Sequence, residues 1–318
     1  MSDAPGRSIV IAGLPRSGTT WTMRALGTSP GVIRLNEPDN EDKFPAAISA
    51  KRRLGRYPCL APGETHARYH DLWAWILDGA HEGRRSQLAR RILGPGERNR
   101  IYEGGIDLTA RIAGALAADP PRTGEPCRVV AKSIHAQLCI EWIAAEFPVT
   151  PLILLRHPAN VLASWMEVRL KDGRNSTLES RPEVQARYAQ RWGVPPPGDD
   201  PVEKMSWRIG LLIAALEEAL ARNPDWVVRT HEQLCTDSVA TFRVLFDDLG
   251  LPWSDETERF LVENDTPGEG FVTQRVASDL ADAWKRRLDD DQLATLRRVL
   301  GWFPVTTWSD ADFDRGSA

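Results

Sequence analysis

The chain has few cysteines and no clustered metal ligands, which argues against structural zinc sites and disulfide frameworks. Its four cysteines, Cys59, Cys127, Cys139 and Cys235, form no CxxC pair and have no histidine-rich partner segment. Structural zinc sites and disulfide frameworks depend on such clustering. We therefore expect reduced thiols and no metal.

Long apolar runs and a strong charge of one sign are also lacking. No stretch approaches the roughly 20 apolar residues that cross a bilayer, and the apolar run near the start is too short for the core of a signal peptide. We expect a cytoplasmic protein without a membrane partner. The formal net charge of −4 argues against a nucleic-acid partner as well. Any anion site must therefore be built locally.

What is present is an alternation of short aliphatic runs with helical patterns. This alternation predicts an α/β fold, a central parallel sheet flanked by helices, in a single domain over residues 1–318. The predicted strands are 8–12, 32–35, 128–131, 152–155 and 226–229. The predicted helices are 18–26, 136–147, 159–170, 201–222, 238–249, 254–264 and 289–300.

Two stretches interrupt the alternation. Residues 38–125 are rich in Arg, Gly and Pro, and we expect a mainly helical insertion, with helical patches near 70–93 and 105–118, that covers the sheet and the acceptor site. Residues 166–200 are polar and basic and end in PPPGDD, which predicts a mobile loop or lid. Trp73 and Trp75 lie in the polar insertion, where flat apolar rings could meet a substrate.

A phosphate-binding loop is predicted at residues 13–20, GLPRSGTT, between the first strand and the first helix. The spacing is that of a Walker A loop, whose backbone N–H groups and helix N-terminus hold phosphate oxygens. However, Thr19 replaces the lysine that reaches the β- and γ-phosphates, and the positive charge lies at Arg16 instead. This departure argues against γ-phosphoryl transfer. The alternative is an ordinary glycine-rich turn, which the flanking strand and helix disfavour.

Residues 15–21, PRSGTTW, resemble the 5′-phosphosulfate motif of sulfotransferases that use 3′-phosphoadenosine 5′-phosphosulfate (PAPS). Residues 154–165, LLRHPANVLASW, resemble the family's 3′-phosphate motif, in which an arginine ends a strand and a serine follows eight residues later. The two motifs occur in the family's order. The resemblance implies a P-loop-like sulfotransferase fold, and it is closest to bacterial enzymes with an acidic motif like that of tyrosylprotein-type enzymes.

The resemblance implies a donor site for PAPS, with adenosine 3′,5′-bisphosphate (PAP) as product and no metal. Arg156 and Ser164 would bind the 3′-phosphate, where the planar fork of arginine suits phosphate oxygens. Arg275 and Ser278 lie where the family closes a basic loop over the same phosphate. The 5′-phosphosulfate would be held by Pro15, Arg16, Ser17, Gly18, Thr19, Thr20 and Trp21.

The general base has two candidates. Glu37 follows the second predicted strand and resembles the catalytic carboxylate of the tyrosylprotein-type enzymes, and we expect desolvation to raise its pKa. Asp39 and Glu41 are near enough to share that assignment. His135 resembles the histidine of phenol-type sulfotransferases, although one extra residue separates it from the preceding Lys-Ser pair.

Two cations are candidates for stabilising charge on the sulfuryl group and the leaving oxygen. The resemblance assigns this role to Lys132 and to Arg16. Gly13, Glu37, Lys132 and Arg156 all lie at, or just beyond, the carboxyl ends of predicted strands. Ligands of open parallel sheets bind along this edge.

Together these features predict a sulfotransferase that moves a sulfuryl group to a hydroxyl of a small molecule, such as a natural product of secondary metabolism. A P-loop kinase using ATP and magnesium is the alternative, and Thr19 with the Arg156/Ser164 pair argues against it. A non-catalytic nucleotide-binding protein is a second alternative. The oligomeric state stays open, a homodimer included.

Overall fold

A central parallel β-sheet organises the chain in a computed structural model that describes residues 6–79, 127–168, 178–264 and 282–315. The strands are β1 (Ser8–Gly13), β2 (Val32–Asn36), β3 (Arg128–Ser133), β4 (Val149–Leu155) and β5 (Val227–Thr230). They form one five-stranded sheet in the order β2-β3-β1-β4-β5, and every pairing is parallel. The predicted α/β class is confirmed.

Helices connect and flank these strands. They are α1 (Thr19–Leu26), α2 (Pro45–Lys51), α3 (Ala67–Leu77), α4 (Ile140–Glu146), α5 (Pro158–Glu167), α6 (Pro182–Val184), α7 (Gln190–Trp192), α8 (Pro201–Arg222), α9 (His231–Thr236), α10 (Ser238–Asp248), α11 (Asp255–Asn264), α12 (Trp284–Arg287) and α13 (Asp290–Leu300). The predicted helices lie within a few residues of observed ones, and α3 overlaps the helical patch predicted near 70–93, whereas α2, α6, α7, α9 and α12 were not predicted. Asp200 caps α8 as its position before Pro201 suggests, because its side chain accepts a hydrogen bond from Glu203 N.

The sheet is buried on both faces. In β1, Val10 and Ala12 belong to one apolar cluster, and Ile9 and Ile11 belong to a second. Because successive strand residues point to opposite faces, the two clusters lie on opposite sides of the sheet. This double burial explains why the strands read as continuous apolar runs.

The prediction of an unpacked loop over 166–200 is wrong for its central part. Residues 178–192 are helical, with α6 and α7 joined by π-helical Gln185–Ala189. The sequence is misleading because many polar residues surround a few apolar ones at helical spacing. The buried residues here include Leu178, Val184, Tyr188 and Ala189.

The predicted substrate contact of Trp73 is wrong as well. Trp73 lies on α3 and is fully buried, while Trp75 is half-buried and packs edge-on against Phe44. Four apolar residues of α3 form a stripe at helical spacing that joins the same cluster as Val129 of β3. They are Tyr69, Leu72, Trp73 and Ile76.

All four cysteines are free thiols. Among the described residues, no group of three or more His, Cys, Asp or Glu side chains is placed to hold a metal ion. Within the same residues, no helix has both the length and the apolar character that crossing a membrane requires.

Gly210 provides a test of packing within α8. A Cβ atom at Gly210 would lie 2.4 Å from Cδ2 of the buried Phe303 ring. We expect Gly210→Ala to lower the free energy of unfolding by about 1–3 kcal/mol, because overpacking outweighs the better helix propensity of alanine. Gly301→Ala is the matched control, since the nearest atom would be 3.4 Å away. Urea unfolding measures both, and an unchanged Gly210→Ala stability would contradict this packing.

Candidate active site

The loop between β1 and α1 contains two residues with left-handed backbone. Arg16 has φ of 73° and Gly18 has φ of 79°. A side chain at Gly18 would collide with His231, because its Cβ would lie 2.2 Å from the ring Cδ2. Helix α1 begins at Thr19 without an acidic residue in its first turn. The loop therefore meets the positive end of a helix, which suits an anion.

The loop is bonded directly to the second motif. Arg156 Nη1 donates to the carbonyl oxygen of Arg16 at 2.6 Å, and Arg16 Nε donates to Ser164 Oγ at 2.9 Å. The indole of Trp165 donates to the Pro15 carbonyl oxygen at 2.9 Å. The structure thus brings together two segments that lie far apart in sequence.

Two buried polar atoms at this junction have no hydrogen-bond partner among the residues that the structure describes. They are Arg156 Nε and Ser17 Oγ. Burial lowers the pKa of Arg156 to about 10, although the nearby Glu232 acts in the opposite direction. A buried guanidinium N–H and a buried hydroxyl without acceptors are costly. The 3′-phosphate could supply an acceptor to Arg156 and the 5′-phosphosulfate one to Ser17, so these residues fit the nucleotide that the resemblance implies.

Glu37 and Lys132 meet where β2 and β3 end. Glu37 N donates to the Lys132 carbonyl oxygen at 2.7 Å, which extends the ladder by one residue. Lys132 Nζ contacts Glu37 Oε1, donates to Thr20 Oγ1 at 3.2 Å and reaches Asn36 Oδ1 at 3.5 Å. One lysine therefore links the candidate base to the phosphate-binding loop.

The pKa of Glu37 is lowered, which corrects the expectation that desolvation would raise it. Burial does act to raise this pKa, but Lys132 and then Lys43 outweigh it. Oε2 accepts hydrogen bonds from Asn40 Nδ2 at 2.7 Å and from Lys43 Nζ at 2.9 Å. Glu37 is consequently a carboxylate at neutral pH and can accept a proton, but it is a weaker base than expected.

His135 lies in a different environment. Its Nδ1 is 3.1 Å from Lys51 Nζ, which also donates to the Asp39 carbonyl oxygen and to Glu41 Oε2. An ammonium group can only donate, so Nδ1 is the acceptor and Nε2 carries the proton of the neutral ring. Burial, followed by the charge of Lys51, holds the pKa of His135 well below its usual value. Neither ring nitrogen is therefore available to take a substrate proton.

The neighbouring acids have other partners. Asp39 Oδ2 accepts a hydrogen bond from Ser133 Oγ at 2.7 Å, and burial raises the pKa of Asp39. Glu41 pairs with Lys51 at 3.0 Å and with Arg56 at 2.8 Å. Burial opposes these cations, which nevertheless hold the pKa of Glu41 far below its usual range.

Two residues of this site, His231 and Lys43, were not predicted from the sequence. His231 is the first residue after β5 and packs on Gly18, and burial lowers its pKa well below the usual value. The rule that ligands bind at strand carboxyl ends could have identified it. Lys43 had no signal in the sequence. The predicted phosphate ligands Arg275 and Ser278 lie outside the described residues.

The ion pair of Glu37 should appear in the pH dependence of stability. Because the folded pKa of Glu37 is lowered, its contribution is present above its unfolded pKa of about 4.3 and is lost as the pH falls through the lower folded value. We expect Glu37→Gln to cost about 3 kcal/mol at pH 7, since Lys132 loses its buried counter-ion, and less below about pH 4.

Urea unfolding of both proteins across this pH range measures the difference. Glu258→Gln is the control, because Glu258 pairs with Arg243 at the exposed surface and should matter by under about 1 kcal/mol. A Glu37→Gln cost that does not change with pH would contradict the lowered pKa.

Comparison with known proteins gives matches only among solved structures, since no protein-family model and no curated protein matches the chain. A sulfotransferase domain from the curacin biosynthetic pathway is similar over 96% of this chain and 100% of its own, at 15% identity and a TM-score of 0.49. The sulfotransferase domain of the Synechococcus PCC 7002 olefin synthase is similar over 93% of this chain and 94% of its own, at 15% identity and a TM-score of 0.44. Retinol dehydratase in complex with retinol and PAP is similar over 96% of this chain and 84% of its own, at 18% identity and a TM-score of 0.39. At these values, the chemistry has to be inferred from the site itself.

Proposed function

We propose that this protein is a sulfotransferase that moves a sulfuryl group from PAPS to a hydroxyl of a small molecule, releasing PAP and a sulfate ester. The observation that carries the proposal is the joining of the two phosphate motifs. Arg156 and Ser164 contact Arg16 of the loop, and two buried polar atoms at that junction have no partner in the described part of the chain.

The donor supplies an activated sulfuryl group, and the chain supplies the groups that hold it. In this proposal, the 13–20 loop and the start of α1 bind the 5′-phosphosulfate, with Ser17 and Thr20 hydroxyls as donors. Arg156 and Ser164 bind the 3′-phosphate. The contact between Arg16 and Ser164 supports this placement, because it brings the two phosphate-binding groups of residues within reach of one nucleotide.

Glu37 is the proposed base. It is ionised, it lies beside the loop through Lys132, and the alternatives are engaged elsewhere, since Lys51 occupies the acceptor nitrogen of His135. When Glu37 takes the acceptor's proton, its carboxylate charge is lost and its attraction for Lys132 weakens. The ammonium of Lys132 then becomes available to stabilise negative charge on the leaving oxygen, which is needed at that moment.

The kinase alternative is less well supported. Phosphoryl transfer from ATP uses a lysine after the second glycine of the loop and a magnesium ion. Thr19 occupies that position here and is buried. Lys132 donates to the neighbouring Thr20, but this lysine is already paired with Glu37.

The acceptor is proposed only by class. We expect the segments 38–125 and 166–200 to build its pocket, and a natural-product alcohol or phenol of secondary metabolism remains the candidate. A cytoplasmic location and a homodimer also remain predictions.

Nucleotide binding tests the donor site. We expect calorimetry to show that PAP binds without magnesium and more tightly than ATP. Arg156→Ala should weaken PAP binding by about 10- to 100-fold, because a charge-assisted phosphate contact is lost. Arg243→Ala, at an exposed ion pair with Glu258, is the control and should not alter binding. Preference for ATP with magnesium would overturn the proposal.

Turnover tests the base. With labelled PAPS and a screen of phenols and alcohols, Glu37→Gln should lower the rate by about 100-fold or more while PAP binding is kept. His135→Gln should keep most of the activity in the enzyme that remains folded. An active Glu37→Gln enzyme would show that another residue is the general base. An inactive His135→Gln enzyme that still binds PAP would favour His135.

A further inference from the structure

Two lysines of different exposure flank the carboxylate of Glu37. Lys132 comes from β3, and its side chain is 3% exposed. Lys43 comes from the segment before α2, lies 2.9 Å from Oε2 and has a side chain that is 36% exposed. The first lysine faces Thr20 of the phosphate-binding loop, whereas the second is open to solvent.

The lone pairs of Glu37 are nearly all in use. A carboxylate offers about four acceptor positions, two on each oxygen. Oε2 already accepts from Asn40 and Lys43, and Oε1 already accepts from Lys132. The one remaining position is on Oε1, beside the Lys132 ammonium, where uptake of a proton is electrostatically disfavoured. An incoming hydroxyl can reach Oε2 only if one of its two donors leaves.

Lys43 is the donor that can leave most easily. Its backbone is held in a turn, since Lys43 N donates to Asn40 O at 2.9 Å and Asn40 N donates to Glu37 O at 3.0 Å. Its long side chain can still swing into water, where an ammonium is well solvated. Asn40 is buried, so its departure would leave a buried amide without a partner.

A displaced Lys43 would be a solvated ammonium close to Glu37, and a nearby anion could pair with it. Two other cations of this segment already pair with carboxylates: Lys51 pairs with Glu41, and Arg56 pairs with Glu41 and Asp42. Moving Lys43 from Glu37 would thus free one positive charge at the acceptor side. A negative group on the acceptor, close to the reacting hydroxyl, would match it.

We propose that Lys43 is a removable cap on Glu37, and that the preferred acceptor carries an anionic group next to its hydroxyl. This inference rests on the proposed sulfotransferase activity. Lys43 acts through Glu37 and is a positioning and specificity residue.

The cap has a consequence for the donor when no acceptor is bound. A water molecule could then react: its oxygen bonds to sulfur, the bond from sulfur to the 5′-phosphate oxygen breaks, and a water proton passes to Glu37. The products are sulfate and PAP. With Lys43 in place, Oε2 is closed to that water, and donor hydrolysis is suppressed.

Hydrolysis of PAPS without acceptor is the first measurement. We expect Lys43→Met to release PAP about threefold faster or more, because the base is both exposed and strengthened. Lys43→Arg should keep the slow rate. Lys204→Met, which removes an exposed partner of Asp199, is the matched control. A Lys43→Met rate equal to that of wild type would overturn the cap.

The pH profile separates this role from a merely structural one. Glu37 interacts electrostatically with four charged or titratable groups around it: Lys43, Lys132, Asp39 and Tyr57. Removing Lys43 takes away one cause of the lowered pKa of Glu37. The acid limb of the hydrolysis rate should therefore move to higher pH in Lys43→Met and remain in place in Lys43→Arg. An unmoved limb would contradict the contact.

Acceptor pairs test the class of substrate. Members of each pair would differ only in a carboxylate or a carboxamide beside the hydroxyl, such as salicylate and salicylamide. Wild type should favour the anionic member by about tenfold in kcat/KM, and Lys43→Met should lose the preference. Exclusive use of neutral acceptors, or a preference that survives in Lys43→Met, would overturn the anionic class.

Calorimetry with PAP keeps the two proposals distinguishable. If wild type and Lys43→Met both fail to bind PAP, the sulfotransferase proposal fails. If both bind PAP and hydrolysis is unchanged by Lys43→Met, the cap alone fails.

Discussion

The contact between Lys132 and Glu37 is the interaction on which the site depends. It is possible because β3 lies between β1 and β2, with Asn36 and Lys132 in register. From this position, one ammonium reaches Thr20 after β1 and the carboxylate after β2. The sheet order therefore lets one lysine contact both the phosphate-binding loop and Glu37, the proposed base. Removing either charge would strand the other in a buried place.

Backbone conformation marks the same two points. Arg16 and Glu37 are the non-glycine residues with positive φ in the described ranges, at 73° and 56°. Left-handed backbone costs such residues roughly 1–2 kcal/mol and persists where surrounding contacts enforce it. Here the Arg16 carbonyl accepts from Arg156, and Glu37 N donates to Lys132. Both strained residues lie just beyond the carboxyl ends of strands, Arg16 after β1 and Glu37 after β2.

What the sequence could predict follows from which features are local. Strands buried on both faces give apolar runs, and the edge position of Glu37, Lys132 and Arg156 then follows from parallel order. The sign of the pKa shift of Glu37 could not be predicted, because it depends on Lys132, 95 residues away. Trp73 was misjudged for a related reason: its neighbours look polar, while its own face of α3 is apolar.

The two candidate bases, Glu37 and His135, differ in which lysines donate hydrogen bonds to them. Glu37 and His135 are both close to the loop in topology, and both are buried. Lys51 supplies a donor to the acceptor nitrogen of His135, so the ring keeps its remaining proton on the other nitrogen. Lys43 and Lys132 likewise donate to Glu37, but carboxylate oxygens have more lone pairs than a neutral imidazole, and one of the donors is exposed. The carboxylate is therefore the group that can be opened to a hydroxyl by moving a single side chain.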